Sequence, residues 1–249
     1  MGISESKKKS FKIGLNMHLE KHLKTIVEKY DNDDLYRIMC NHAFSAQLTN
    51  KEMVQPGAIK VGNIIEESRK KILENINEED WTDQKSTENI PILVFGKGID
   101  IIDGIYYQKS EFIKGYEKYN DLIDFGNRFA DQVGKGELRG LSLVNLLPGK
   151  EIYEHFESDC YYMIRDRYHV VLEADEDNIH IFENEEFKFK QGEIWWYNIK
   201  IRHKTKNNSQ NNRIHLIIDV VPYKNLNIEP ILTETVYNKI NKGFSLDAS

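Results

Sequence analysis

The chain has 249 residues, 40% hydrophobic and 30% charged, with a formal net charge of -6. That length is ample for a buried core in one large domain or two small ones. The charge, with its scattered lysines, argues against a nucleic-acid binder, and no apolar run approaches the roughly 18 residues that a bilayer span needs.

The opening MGISESKKKS has no apolar segment of a secretory leader. Met1-Gly2 with Ser6, followed by Lys7 to Lys9, fits an N-myristoylation template; the plainer reading of residues 1–10 is a solvated tail. Two cysteines, Cys40 and Cys160, lie far apart with no CxxC pair, which fits a reduced cytoplasmic protein and disfavours a structural zinc site. Asn207-Asn208-Ser209 is formally a glycosylation sequon, but it has no meaning without a secretory route.

Apolar periodicity predicts a helix over 15–30, a short one over 35–39, and another over 61–77 with Val61, Ile64, Ile65, Ile72, Leu73 and Ile76 inward. Residues 80–91 read as loop, and Ile92 to Phe95 as a short buried strand ended by Gly96. A long helix is expected over 110–133, closed by Gly134 and Gly136. Histidines 18, 22 and 42 read as surface or helix-packing residues.

After Leu138 the texture changes to short runs rich in branched and aromatic residues, each closed by a turn signal. They predict strands near 141–147, 151–157, 166–174, 179–183, 186–190, 193–199, 201–206 and 213–221. About eight strands at this spacing suggest a jelly roll or similar double-sheet barrel. A last helix is expected over 233–242. The resulting organisation is a tail (1–10), an N-terminal α-rich region packed on the barrel (11–137), a core (138–223) and a C-terminal extension (224–249).

Five of the eight histidines fall between 155 and 215. A strand rises about 3.3 Å per residue with alternating side chains, so His155 and Glu157 point the same way, with Cα atoms roughly 6.5 Å apart. Asp159 lies roughly 13 Å from His155 if the strand continues, which makes it the poorer ligand candidate. With His203 from a later strand, two imidazoles and a carboxylate suit Fe(II) and leave coordination positions open. Arg213 opens a strand of otherwise core residues, where a guanidinium is costly to bury alone. A bound dicarboxylate would be its partner; the alternative is a salt bridge to Glu157 or Asp219. Arg167 and His169 share one face of a strand that continues as Val-Val-Leu. His180 and His215 read as structural. Trp195 and Trp196 face opposite ways, one into the core and one beneath the N-terminal helices.

The ordered pattern Leu-Pro-Gly-x5-His, Arg-x-His, Gly-x-Ile-Trp, His-x3-Asn, then Arg with an apolar strand ending in Asp219, resembles the aspartyl/asparaginyl β-hydroxylase family of Fe(II)/2-oxoglutarate dioxygenases. The resemblance covers about residues 141–222. It implies an α+β protein with a cupin-like double-stranded β-helix (jelly-roll) core. His155 and His203 would be iron ligands, and Arg213 would hold the far carboxylate of 2-oxoglutarate. His169 would assist 2-oxoglutarate, and Arg167 would contact cosubstrate or substrate. Such enzymes often carry Asp two residues after the first histidine, and some members have no carboxylate there; this chain has Glu157, which ligates directly, binds through water, or faces elsewhere. The expected activity is hydroxylation of an unactivated C–H of an amino acid, free or within a peptide or protein. It would use Fe(II), 2-oxoglutarate and O2, with ascorbate in support. The rival is a cupin-like metal- or ligand-binding or sensor protein without turnover.

Overall fold

The computed structural model describes residues 56–84, 86–113, 117–157, 162, 164–183, 185–227, 229, 230, 233 and 234. The helices expected at 15–30 and 35–39, the three N-terminal histidines, both cysteines, Asp159 and most of the expected C-terminal helix lie outside them.

In chain order the elements are β1 (Ala58–Asn63), α1 (Glu66–Glu74), β2 (Thr82–Gln84), β3 (Thr87–Ile102), β4 (Ile105–Phe112), α2 (Asn120–Gln132) and β5 (Gly136–Leu146). There follow β6 (Glu151–His155), β7 (Asp166–Glu173), β8 (Asn178–Phe182), β9 (Glu185–Phe187), β10 (Glu193–Tyr197), β11 (His203–Asn207) and β12 (Arg213–Pro222). One sheet runs β1-β10-β7-β12-β5-β3-β2, with β4 added beside β3; the other runs β6-β11-β8-β9. Every pair is antiparallel. Rings from the two sheets meet in the space between them: His169 of β7 lies 6.3 Å from His180 of β8. The architecture is the expected cupin-like double-stranded β-helix.

The eight predicted strands after Leu138 all form, with ends moved by a few residues. The segment 56–137 is a correction. It is not α-rich, and 137 is not a boundary, because β1 pairs with β10 and β3 pairs with β5 inside the eight-stranded sheet. The stretch expected as loop holds β2 and the start of β3, and Gly96 does not end that strand. The hairpin β3–β4 turns at Asp103-Gly104, both with positive φ (51° and 74°), the backbone that a tight two-residue hairpin turn requires. The helix expected over 110–133 is confined to α2, since residues 110–112 complete β4. In the same way 61–63 belong to β1, and Ile65, expected inward, is 69% exposed.

Strand alternation divides the apolar residues between two cores. Outward-facing Tyr168, Val170 and Leu172 of β7 and Ile214, Leu216 and Ile218 of β12 meet Ile72 of α1 and Leu122 and Phe129 of α2. Phe129 sets its ring edge-on to Tyr168 at 5.1 Å. Burial of each such side chain contributes about 1.5–3 kcal/mol. The inner core is Val171, Phe182, Phe189, Tyr197, Ile199 and Ile201. Trp195 stacks on Phe189 there at 4.4 Å, while Trp196 packs on the outer core. The faces of β7 and β12 that do not meet the helices therefore carry their polar residues into the barrel.

Candidate active site

β6 and β11 pair so that His155 and His203 stand opposite each other, their ring centroids 4.4 Å apart. His155 Nδ1 lies 2.7 Å from the Tyr153 carbonyl and His203 Nδ1 lies 2.9 Å from the Ile201 carbonyl. A carbonyl only accepts, so both Nδ1 atoms are the donors. Each neutral ring then carries a bare lone pair on Nε2, the form in which imidazole binds a metal, with the backbone bond fixing its orientation. His203 is 5% exposed, and burial pushes it down to about 4, so it is neutral at pH 7. Phe182 and Tyr197 flank its ring at 5.9 and 5.1 Å.

Glu157 follows the end of β6. Its amide donates to the Ile199 carbonyl at 3.0 Å, and its carboxylate accepts from Arg167 Nη1 at 2.8 Å. Arg167 turns its remaining fork to Asp219, with Nε and Nη2 at 2.7 and 2.9 Å from the two oxygens. Burial alone would lower the Arg167 guanidinium, but Asp219 and Glu157 outweigh it and hold it well above its usual value. Among the described residues, no group of three His, Cys, Asp or Glu side chains converges as a metal site. The structure thus brings together His155 and His203 and gives Glu157 to Arg167. Arg167, expected beside the cosubstrate, is occupied by two carboxylates.

Strand register orders the interior. Arg167 lies opposite Asp219 and Tyr197, and His169 opposite Ile217 and Trp195. His203 lies opposite Phe182, and Thr205 opposite His180. His215 and then Arg213 follow along β12, away from the Asp219 end. Arg213 is 2% exposed, and among the described residues it has no ion pair and its Nε and Nη1 have no hydrogen-bond partner. Glu157 and Asp219, its two alternative partners, are those that Arg167 holds. Burial pushes the Arg213 guanidinium down to about 10; it remains charged, an uncompensated buried cation that calls for an anion. Around it lie His169, His180 and His215, all lowered well below the histidine range, chiefly by burial and also by the charge of Arg213.

His180 and His215, read from the sequence as structural, belong to this polar interior, as do Tyr197 and Thr205. The signal was available: His215 alternates with Arg213, and Asn178, His180 and Phe182 share one face of β8. Two surface clefts, of about 300 and 450 Å³, are lined by other residues.

Residues 127–222 match the aspartyl/asparaginyl β-hydroxylase family. This hydroxylase match runs from within α2 to the last residue of β12 and contains His155, Glu157, Arg167, His169, His203 and Arg213. The chain is similar in fold to an oxidoreductase of the 2OG-Fe(II) oxygenase family from Burkholderia pseudomallei, with 14% identity, TM-score 0.51, and 72% of this chain and 88% of that one covered. It also aligns with a viral collagen prolyl hydroxylase from Paramecium Bursaria Chlorella virus-1 in its 2OG complex (14% identity, TM-score 0.43, 66% and 96% covered). A third alignment is with HygX from Streptomyces hygroscopicus, solved with nickel and 2-oxoglutarate bound (10% identity, TM-score 0.46, 67% and 83% covered). The first likeness is one of fold. No curated protein matches the chain. Among the described residues, no helix is long and apolar enough to cross a membrane.

Proposed function

We propose that the chain is an Fe(II)/2-oxoglutarate-dependent dioxygenase that hydroxylates an unactivated C–H of an amino acid, free or within a peptide. One observation carries the reading: two imidazoles face each other at 4.4 Å with Nδ1 committed to the backbone, on a barrel whose interior holds a buried guanidinium without an ion-pair partner among the described residues. Imidazole suits Fe(II), and a guanidinium fork suits a carboxylate, so the residues present fit both groups. The bound iron would supply oxygen activation, in which 2-oxoglutarate and O2 yield succinate, CO2 and the oxygen atom placed on the substrate.

The chain's own residues do the rest. The Tyr153 and Ile201 carbonyls orient the two histidines. Arg213 would hold the far carboxylate and thereby orient the 2-oxo acid end toward His155 and His203. Phe182 and Tyr197 exclude water from the inner side of His203. Arg167, pinned by Asp219 and Glu157, shapes the end of the interior nearer His203. Arg167 takes up Glu157 Oε1, and no third His, Cys, Asp or Glu side chain among the described residues converges with the two histidines; we therefore read Glu157 as the anchor of that arginine, with His155 and His203 as the protein ligands.

The test is succinate release from 2-oxoglutarate by the full chain with Fe(II), ascorbate and a panel of free amino acids and short peptides. Coupled succinate and hydroxylated product, lost in His203→Ala, is the expected result. Iron bound at one equivalent with no succinate from any panel member would replace this reading with that of a binding or sensor protein.

A further inference from the structure

Arg213 does not face the interior alone. Four buried nitrogens there lack a partner among the described residues: Arg213 Nε and Nη1, His180 Nε2 and His215 Nε2. The His180 and His215 rings lie 5.5 Å apart and near parallel, at 22°, and the charge of Arg213 acts on both. Fully buried donors are costly to leave unmade. We propose that His180 and His215 bind the far carboxylate of the cosubstrate, each donating its Nε2–H to the oxygens that Arg213 anchors. This rests on the oxygenase reading above and adds two residues outside the motif positions that carry the family resemblance.

Proton bookkeeping supports it. Burial keeps both imidazoles neutral, so each has one N–H to place. His180 Nδ1 lies 3.2 Å from Thr205 Oγ1. With the Thr205 hydroxyl donating to Nδ1, the His180 proton sits on Nε2, the atom without a partner among the described residues.

His215 Nδ1 lies 3.1 Å from His169 Nδ1; between two neutral rings one must donate and the other accept. In the proposed arrangement His169 donates, which leaves the His215 proton on Nε2, the atom without a partner among the described residues, and makes His169 a positioning residue acting through His215.

A carboxylate offers about four lone-pair sites, and the interior offers four nitrogens without partners among the described residues, five N–H bonds with both hydrogens of Nη1 counted. A 2-oxo acid lacking the second carboxylate would leave all four unused.

The experiment titrates the Ni(II)-loaded full chain with 2-oxoglutarate and with 2-oxobutanoate, and records ¹⁵N spectra of its histidines. His215→Phe and His180→Phe are each expected to weaken 2-oxoglutarate about ten- to a hundredfold, the range of a hydrogen bond to a charged group, and to leave 2-oxobutanoate unchanged. His215→Gln, whose amide nitrogen takes the place of Nε2, restores most of the loss. His169→Asn, which keeps the donor, stays near wild type, and His169→Leu weakens 2-oxoglutarate alone. In the wild-type complex, His180 and His215 show the Nε2–H tautomer, a readout that needs no variant. Equal weakening of both acids, unchanged 2-oxoglutarate affinity, or the other tautomer overturns the assignment while Arg213→Leu still abolishes dicarboxylate binding. Wild-type affinity in Arg213→Leu, or no binding by the wild-type chain, overturns the cosubstrate reading and this one with it.

Discussion

His155 and His203 repeat one geometry on two strands: each imidazole donates Nδ1–H to the carbonyl two residues before it, Tyr153 in one case and Ile201 in the other. Facing across the β6–β11 pair, both rings have Nδ1 committed to the backbone, so a metal ion meets Nε2 atoms whose rings need no reorientation. Ni(II) at a hundred times its Kd should raise the unfolding free energy of the wild-type chain by about 2.7 kcal/mol. His203→Ala should show no rise. Metal content after gel filtration and thermal melts check both.

Arg167 joins β7 to the end of β6 and to β12 by three charge-assisted hydrogen bonds. Arg167→Met should cost about 3–5 kcal/mol, because two carboxylates lose their only cation among the ion pairs described for them. Glu157→Gln should leave Ni(II) affinity within about twofold of wild type, a change of under 1 kcal/mol. A hundredfold loss in that variant would make Glu157 an ion ligand. Denaturant melts and calorimetric titration supply the two numbers.

Acid should destabilise the metal-free chain early. Burial holds His169, His180 and His215 well below 6.5 and His203 down to about 4. Between the unfolded value near 6.5 and these lower folded values, the unfolded chain binds more protons, so stability rises with pH. The stabilisation is full above about 6.5 and is lost as pH falls, down to about 4 for His203, whose own contribution is on the order of 3 kcal/mol. Melting temperatures of the chelator-treated chain across pH 7 to 4 would show it; a flat profile would contradict the neutral, buried state of these imidazoles.

Gly57 supports the site from outside it. A Cβ there would lie 2.3 Å from the Phe182 ring, and Phe182 walls both Tyr197 and His203. Gly57→Ala should cost about 1–3 kcal/mol by overpacking and weaken Ni(II) binding through the displaced ring. Melts and metal titration of this single variant test the link.

The barrel was legible in the sequence where alternation met turn signals. Arg213 and His215 alternate with Ile214 and Leu216, and Pro148-Gly149 and Gln191-Gly192 close neighbouring strands. What escaped was long-range. Residues 92–95 look like one short strand locally, yet β3 spans sixteen residues because its partners β4 and β5 supply the hydrogen bonds. The Asp103-Gly104 turn is a local hairpin cue that competes with the helical spacing across 110–119. The ion pair of Glu157 with Arg167 joins separate strands, and no spacing rule encodes it. Neither does the buried contact of His169 with His215.

The turn between β11 and β12 sets the separation of the two ends of the site. Asn207, buried at its start, donates through Nδ2 to the Leu146 and Asn211 carbonyls and accepts from Ser209 N and Oγ; Ser209 Oγ in turn accepts from Asn211 N. These bonds clamp a loop of fixed length between the strand of His203 and the strand of Arg213. The loop would work as a ruler for a cosubstrate spanning the two strands. Removing one residue from 208–212 would turn the face of β12 or strain the clamp, so the length of acid that the proposed site would take is written into a knot of two small side chains and the backbone of Asn211.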